Sequence, residues 1–196
     1  MIVRIGSFSV RTLVYAALVS LFAVILATPP AKAADDGTFS ENEILAKATG
    51  FFGETTEGLA KAIQKVFADQ GRPNAYIAGE EISGAVGVGL RYGNGIFHRK
   101  TGDGRKVYWQ GPSVGWDLGA NASKVFVLVY NLDNVEDLFQ RFPGVDGSFY
   151  FVAGVGVNYQ KSGKIVLAPI RTGVGLRAGA NVGYLHYGKK HSWLPF

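Results

Sequence analysis

The spacing of hydrophobic residues changes near residue 74, from a helical period to a strand-like one. Before that point, Ser40 and Glu43 form a capping box that predicts a helix near residues 41–49. A second helix is predicted near residues 56–70, with one apolar face made by Leu59, Ile63, Val66 and Phe67. The chain therefore opens with a helical segment, at about residues 40–72.

After residue 74, bulky and small residues alternate with a period of two, which indicates strands. The clearest runs are residues 85–92, 149–159 and 174–186. In each run, large aliphatic and aromatic residues occupy one face, while the other face includes two or more glycines. A face without side chains lets another backbone approach closely or lets the sheet curl tightly.

Turn sequences divide the strand region at residues 93–95, 101–104 and 161–164. Residues 125–130 are apolar on both faces, so this strand is expected to be covered on both sides. Asp133 and Glu136 form a further capping box, which predicts a short helix over residues 134–141.

Eight or more strand candidates follow residue 74, with hairpin spacing. We predict a mainly β fold, a small antiparallel β-barrel with the two N-terminal helices against it, because closure removes exposed strand edges. A β-sandwich of two sheets is the alternative. Residues 34–196 are predicted to form this single domain.

Residues 1–33 have the three parts of a secretory signal peptide. A start with two arginines precedes residues 12–27, an uncharged and mainly apolar run of 16 residues. A spanning helix needs roughly 20 such residues, so the run is short for a membrane anchor. Small residues then predict cleavage between Ala33 and Ala34, which would deliver residues 34–196 to the periplasm.

Composition limits what the mature chain can do. Cleavage removes three basic residues and no acidic residue, so the formal charge falls from +5 to +2. The calculated pI of 9.4 therefore belongs mostly to the precursor and gives no reason to expect nucleic-acid binding. The chain has no cysteine, which excludes disulfides and a lipidated N-terminal cysteine.

Residues 111–115 match the G-x-S-x-G pattern of a serine hydrolase, with Ser113 as the nucleophile. That pattern works at a strained strand-to-helix turn, and here the following residues favour a strand. Asp133 or Asp146 with His186 would complete the required order, but a chain of this length meets that order easily by chance. A serine hydrolase is a remote alternative, and we predict that the protein is not an enzyme.

No residue set predicts a metal or a cofactor. His98, His186 and His191 lack the spacing of zinc ligands, and the two dinucleotide-like Gly-x-Gly segments are followed by strands. The acidic pairs at residues 35–36 and 80–81 are expected to be solvated loop residues rather than calcium ligands.

The pentapeptide Gly-Val-Gly-Leu-Arg occurs twice, at residues 87–91 and 173–177. One interpretation is a symmetric ligand site in which Arg91 and Arg177 are equivalent. The interpretation we favour is that two strands solve the same packing problem.

The C-terminal Phe196 leaves a further alternative open, because outer-membrane barrels often end on an aromatic residue. Pro195 and the polar residues 189–192 interrupt the alternation that a lipid-facing strand requires. We therefore predict that the mature chain does not span a membrane.

Four segments of the mature chain carry a resemblance to a known family. They are the Gly-rich strand at residues 84–92, the block at 108–117, the segment at 128–132 and the ending at 193–196. In these segments the chain resembles the exported Gram-negative bacterial family that includes envelope integrity protein A. The resemblance implies a soluble periplasmic β-barrel needed for cell-envelope integrity, and it implies no catalytic residue. A weaker likeness to SYLF-type lipid-binding domains transfers no residue.

Two functional hypotheses follow. In the first, a non-enzymatic periplasmic protein supports the cell envelope through an unknown component, which is a protein, peptidoglycan or lipid. In the second, the barrel is a carrier or sensor that encloses a small apolar or lipid ligand. Tyr108, Trp109 and Trp116 could line its cavity, although a packed core is the more common use of such residues.

The cleavage site can be tested by the intact mass of the protein recovered from the periplasm. We expect the mass of residues 34–196, because signal peptidase recognises small residues at the positions that Ala31 and Ala33 occupy. The variant Ala33→Arg should accumulate as the uncleaved precursor. A periplasmic protein that keeps all 196 residues would contradict the prediction.

Overall fold

A computed structural model describes residues 36–54, 56–172 and 183–192, and of residues 84–88 and 113–122 it describes the backbone alone. The predicted signal segment, its cleavage site between Ala33 and Ala34, and Arg177 of the second pentapeptide lie outside the described residues.

Two helices precede the strands, as predicted. Helix α1 (Glu41–Phe52) begins with the expected capping box, in which the Glu43 backbone N–H donates to the Ser40 hydroxyl and the Ser40 N–H donates to the Glu43 carboxylate. Helix α2 (Glu57–Gln70) is capped by Thr56. None of the helices in the described part of the chain is long and apolar enough to cross a membrane.

The strands form one antiparallel sheet. They are β1 (Ala75–Arg99), β2 (Arg105–Tyr130), β3 (Arg141–Pro143), β4 (Tyr150–Val152), β5 (Val155–Val157), β6 (Gln160–Ser162), β7 (Ile165–Thr172) and β8 (Tyr184–Gly188). The long strands β1 and β2 make a hairpin whose turn contains the predicted turn at residues 101–104. The predicted turn at residues 161–164 likewise connects β6 to β7.

The sheet curls so far that two strands late in the chain, β7 and β8, pair with β2. Near its start β2 pairs with β8, and near its end it pairs with β7. Strand β8 pairs with β3, and the residue after β3, Gly144, makes a bridge with Gln160 of β6, which itself pairs with β7. The predicted barrel-like architecture is therefore confirmed, and the sandwich alternative does not apply.

Two hydrophobic cores lie on opposite faces of this sheet. Residues 125–130 of β2 contribute alternately to both, which confirms that this strand is covered on both sides. The inner core is dominated by large side chains from the strands and the segment after β2, including Trp109, Phe142, Leu167, Leu185 and Tyr187. The outer core joins the sheet to α1 and α2 through Ile44, Leu59, Ile63, Val66, Phe126 and Leu128.

Strand β1 turns its glycine-rich face inward. Its odd-numbered described residues from Ala75 to Phe97 point toward the interior, and the glycines among them let other groups approach closely. A β-carbon on Gly79 would lie 2.7 Å from the Cα atom of Gly95 and would also collide with the Asn94 carbonyl oxygen. A β-carbon on Gly93 would collide with the Trp109 ring. The predicted turn at residues 93–95 is therefore wrong, because these glycines serve close packing within a continuous strand.

Two other local predictions are wrong. Residues 149–159 form the hairpin of β4 and β5 rather than one strand, because Ala153 and Gly154 adopt positive φ angles. The helix predicted over residues 134–141 is reduced to a 3-10 turn (Val135–Leu138), with Asn134 rather than Asp133 as its cap. The following residues pair with β8 instead, and the Gln140 carbonyl accepts a hydrogen bond from the Tyr187 N–H.

The variant Gly79→Ala tests the close approach within β1. We expect a loss of about 1–3 kcal/mol or more, because the colliding atoms belong to the backbone and cannot move aside cheaply. The melting temperature, measured by calorimetry, should fall by about 2–4 °C for each kcal/mol.

Gly50→Ala is the matched control, since a β-carbon there meets nothing within 4 Å and the residue lies inside α1. That variant should be neutral or stabilising by up to about 1 kcal/mol. Equal melting temperatures for the two variants would contradict the assignment.

Candidate functional site

Three charged side chains meet inside the curled sheet. Glu81 and Arg91 come from β1, and Arg171 comes from β7. Their exposed fractions are 2%, 6% and 5%, although charged residues are seldom buried unless they are paired. The expectation that residues 80–81 are solvated loop residues is wrong for Glu81. The pair lies within a strand, so Glu80 points outward and Glu81 points inward.

The carboxylate of Glu81 accepts hydrogen bonds from two residues. Arg171 donates from two nitrogens, Nε at 2.5 Å from Oε1 and Nη2 at 3.4 Å from Oε2. The indole Nε1 of Trp109 donates to Oε2 at 3.3 Å. Arg171 also donates from Nη1 to the Asn158 Oδ1 at 2.6 Å, so it is held on two sides.

Arg91 is held less completely than Arg171. Its Nη1 lies 3.7 Å from Glu81 Oε1, which is within ion-pair range but beyond a hydrogen bond. Its buried Nε has no hydrogen-bond partner among the described residues, and the same is true of the Tyr187 hydroxyl. The cluster therefore contains two buried donors whose hydrogen bonds are not used by the described part of the chain.

The charges of the cluster do not cancel. Burial raises the pKa of Glu81, but the charges of Arg171 and Arg91 outweigh it, and the pKa of Glu81 stays below its ordinary value. Burial lowers the pKa of Arg91 to about 10, opposed by Glu81 and assisted by Arg171. Burial also raises the pKa of Tyr187. At neutral pH the cluster thus holds two guanidinium charges, one carboxylate charge and a protonated phenol.

The residues suggested for a serine hydrolase do not lie in the arrangement that such an enzyme requires. Ser113 lies within β2, paired with Gly89 of β1, and not at a strand-to-helix turn. Asp133 is exposed and makes an ion pair with Lys164. His186 lies in β8, opposite Gln110 of β2.

The aromatic and histidine candidates are dispersed. Trp109 is packed in the inner core, whereas Tyr108 is half-buried beside His191; the side chain of Trp116 is outside the description. His98 stacks on Tyr76, with ring centroids 4.8 Å apart. Among the described residues there is no group of three or more His, Cys, Asp or Glu that could hold a metal ion.

Sequence reasoning singled out Arg91 through the repeated pentapeptide, as the equivalent of Arg177 in the interpretation that we did not favour. Arg177 lies outside the described residues, and among the described ones Arg91 lies beside Arg171, with Glu81 between them. The alternation of buried residues along β1 carried a signal for Glu81, since Ala75, Ile77 and Gly79 share its face. No comparable signal exists for Arg171, which is the last residue but one of a strand buried on both faces.

The fold and this cluster define a helix-flanked, barrel-like β protein with a polar centre. The family model for envelope integrity protein A matches residues 37–196, and the chain belongs to that family. The family name indicates a role in cell-envelope integrity.

A solved structure supports the same fold. The chain is similar to the crystal structure of a β-barrel-like, uncharacterized protein from Brucella abortus, with 48% identity and a TM-score of 0.75. The alignment covers 82% of this chain and 99% of that one. No curated protein matches the sequence.

The variant Glu81→Gln tests the charge balance of the cluster. It should lower the free energy of unfolding by about 3–5 kcal/mol at neutral pH, because it leaves two buried guanidinium groups without a counter-ion. A carboxyl group with a depressed pKa stabilises the fold above its ordinary pKa of 4.5, and this contribution fades as the pH falls. The difference between wild type and variant should therefore be constant above about pH 5.5 and shrink at lower pH.

Urea unfolding at a series of pH values measures this difference. Glu80→Gln, one residue away and exposed, is the matched control and should leave the unfolding midpoint nearly unchanged. An equal loss in both variants, or a difference that grows toward acid pH, would contradict the described role of Glu81.

Proposed function

We propose that the protein is exported to the periplasm, where it supports envelope integrity without catalysis, by contact with another envelope component. The observation that carries the proposal is the extent of the family match. Residues 37–196 are also the compact unit of the chain, Gly37–Phe196, so the family match includes the whole of that unit. The segment before it has the sequence features of an export signal.

The outward face of β1 is the surface that best suits such a contact. Ile82, Leu90 and Ile96 point away from the interior and are 53%, 41% and 38% exposed. In the described ladders this 25-residue strand pairs with β2. Exposed apolar residues are typical of surfaces that another molecule covers.

The lipid-carrier hypothesis has less support from the described interior. Trp109, Phe142 and Tyr187 are among the largest fully buried side chains, and they fill the inner core. A lipid chain would need that volume. Native mass spectrometry of the periplasmic protein separates the two hypotheses, since a carrier would show an added lipid-sized mass.

The proposed function can be tested in a deletion strain complemented with variants. Deletion should increase sensitivity to detergents and wall-active drugs, and the wild-type gene should restore resistance. The double variant Ile82→Ser/Leu90→Ser should be exported and folded yet fail to restore resistance, because the contact surface has lost its apolar character.

Val145→Ser is the matched control, since Val145 is also exposed, at 42%, but lies outside β1. Calorimetry and immunoblotting of the periplasmic fraction verify folding and export of each variant. Unchanged resistance in the deletion strain would refute the envelope role. Full rescue by the double variant would refute only the contact surface.

A further inference from the structure

The buried cluster has one positive charge more than it has negative charges. Arg171 and Glu81 satisfy one another through two contacts, whereas Arg91 approaches Glu81 only to 3.7 Å. A second guanidinium beside an already satisfied ion pair is costly to bury, since nothing on the described side chains neutralises it. Such a group is stabilised by any anion that reaches it.

The donors without partners lie in one place. Tyr187 adjoins the same cluster through Trp109. Its ring packs 5.8 Å, centroid to centroid, from the ring of Trp109, which itself donates to Glu81. Arg91 Nε and the Tyr187 hydroxyl therefore both offer a proton beside the same uncompensated charge.

Both donor atoms are shielded from solvent. Arg91 Nε and the Tyr187 hydroxyl are buried, although the Arg91 side chain as a whole keeps 8% of its surface exposed. A ligand therefore reaches these two donors only when neighbouring side chains move aside. The Glu81–Arg171 pair can stay closed, because Arg91 makes no hydrogen bond to it.

We propose that Arg91 and Tyr187 form a binding site for the carboxylate group of a small ligand. The pair of Arg171 and Glu81 shows the geometry within the same cluster, since the Nε edge of one guanidinium holds both oxygens of a carboxylate. Arg91 presents the same kind of edge, and its Nε has no partner. This site does not depend on the proposed contact surface of β1.

The chemistry selects a carboxylate among possible ligands. A carboxylate carries one negative charge, which equals the excess charge of the cluster, and its oxygens only accept hydrogen bonds. A phosphate group is tetrahedral and carries up to two charges near neutral pH, so it would overcompensate the site. An amine would place its own donors against the donors of the protein. An amide oxygen could accept their hydrogen bonds, as Asn158 does from Arg171, but it would leave the excess charge uncompensated.

The test uses Arg91 itself as the probe. In ¹⁵N-labelled protein recovered from the periplasm, the Nε–H resonance of each arginine can be followed during titration with sodium acetate at constant ionic strength. Arg91→Lys assigns the Arg91 resonance by removing it. We expect acetate to shift that resonance saturably, while sodium chloride and the neutral isostere acetamide do not.

Arg99 is the matched control within the same spectrum. Its Nε is also buried and has no hydrogen-bond partner among the described residues, but its Nη2 donates to the carbonyls of Leu132 and Asp133, away from the cluster. Its resonance should not respond to acetate. A response of equal size at Arg91 and Arg99, or a shift at Arg91 that never saturates, would overturn the proposal.

The variant Tyr187→Phe keeps the ring in the core and removes one proposed donor. It should fold with nearly the wild-type melting temperature and bind acetate about 5- to 10-fold more weakly, as expected for loss of one hydrogen bond. Unchanged acetate affinity would exclude Tyr187 from the site. Saturable binding of inorganic phosphate, without binding of acetate, would overturn the choice of a carboxylate.

Discussion

The fold depends on the ability of strand β1 to bend back on itself. Glu81 and Arg91 are ten residues apart in one strand, and ten residues of straight strand span about 33 Å. Their charged atoms nevertheless lie 3.7 Å apart. The segment between these two residues includes the register shift between Ser83 and Ala85, and the bend requires Gly79 and Gly95 to bring their backbones into near contact. A side chain on either glycine would hold the two halves of the strand apart.

The bend also explains why a charged cluster can exist inside so small a sheet. It brings two residues of β1 to Arg171 of β7, and among the described ladders β1 and β7 are not paired with one another. The contact between Glu81 and Arg171 therefore fixes the relative position of two strands that share no ladder hydrogen bonds. Buried ion pairs add little net stability, but a wrong arrangement would leave a charge unpaired, so they favour one register over others.

The sequence predicted the features that depend on neighbouring residues. The Ser40 capping box, the turn between β1 and β2 and the two-sided burial of residues 125–130 all follow from local spacing, and all are present. Features that depend on distant partners were missed. Residues 93–95 have the composition of a turn, but their glycines are required by the Trp109 ring and the crossing of β1.

The candidate site was missed for a related reason. Glu80 and Glu81 form an ordinary acidic pair until the strand alternation is extended through them, and only then does one of them point inward. The sequence around Arg171 gave no indication that this side chain points inward, because a strand that is buried on both faces shows no alternation of apolar and polar residues. The interior role of Arg171 is defined by the bend in β1, which no short segment of sequence encodes.

Strand β1 carries both the outward apolar face and the inward positive charge, on alternating residues. Leu90 is exposed and Arg91, the next residue, is buried against Glu81. Because a strand backbone is continuous, Arg91 cannot move toward a bound anion through a backbone shift without displacing Leu90 as well. The proposed contact surface of β1 and the interior charge are therefore joined at one peptide bond.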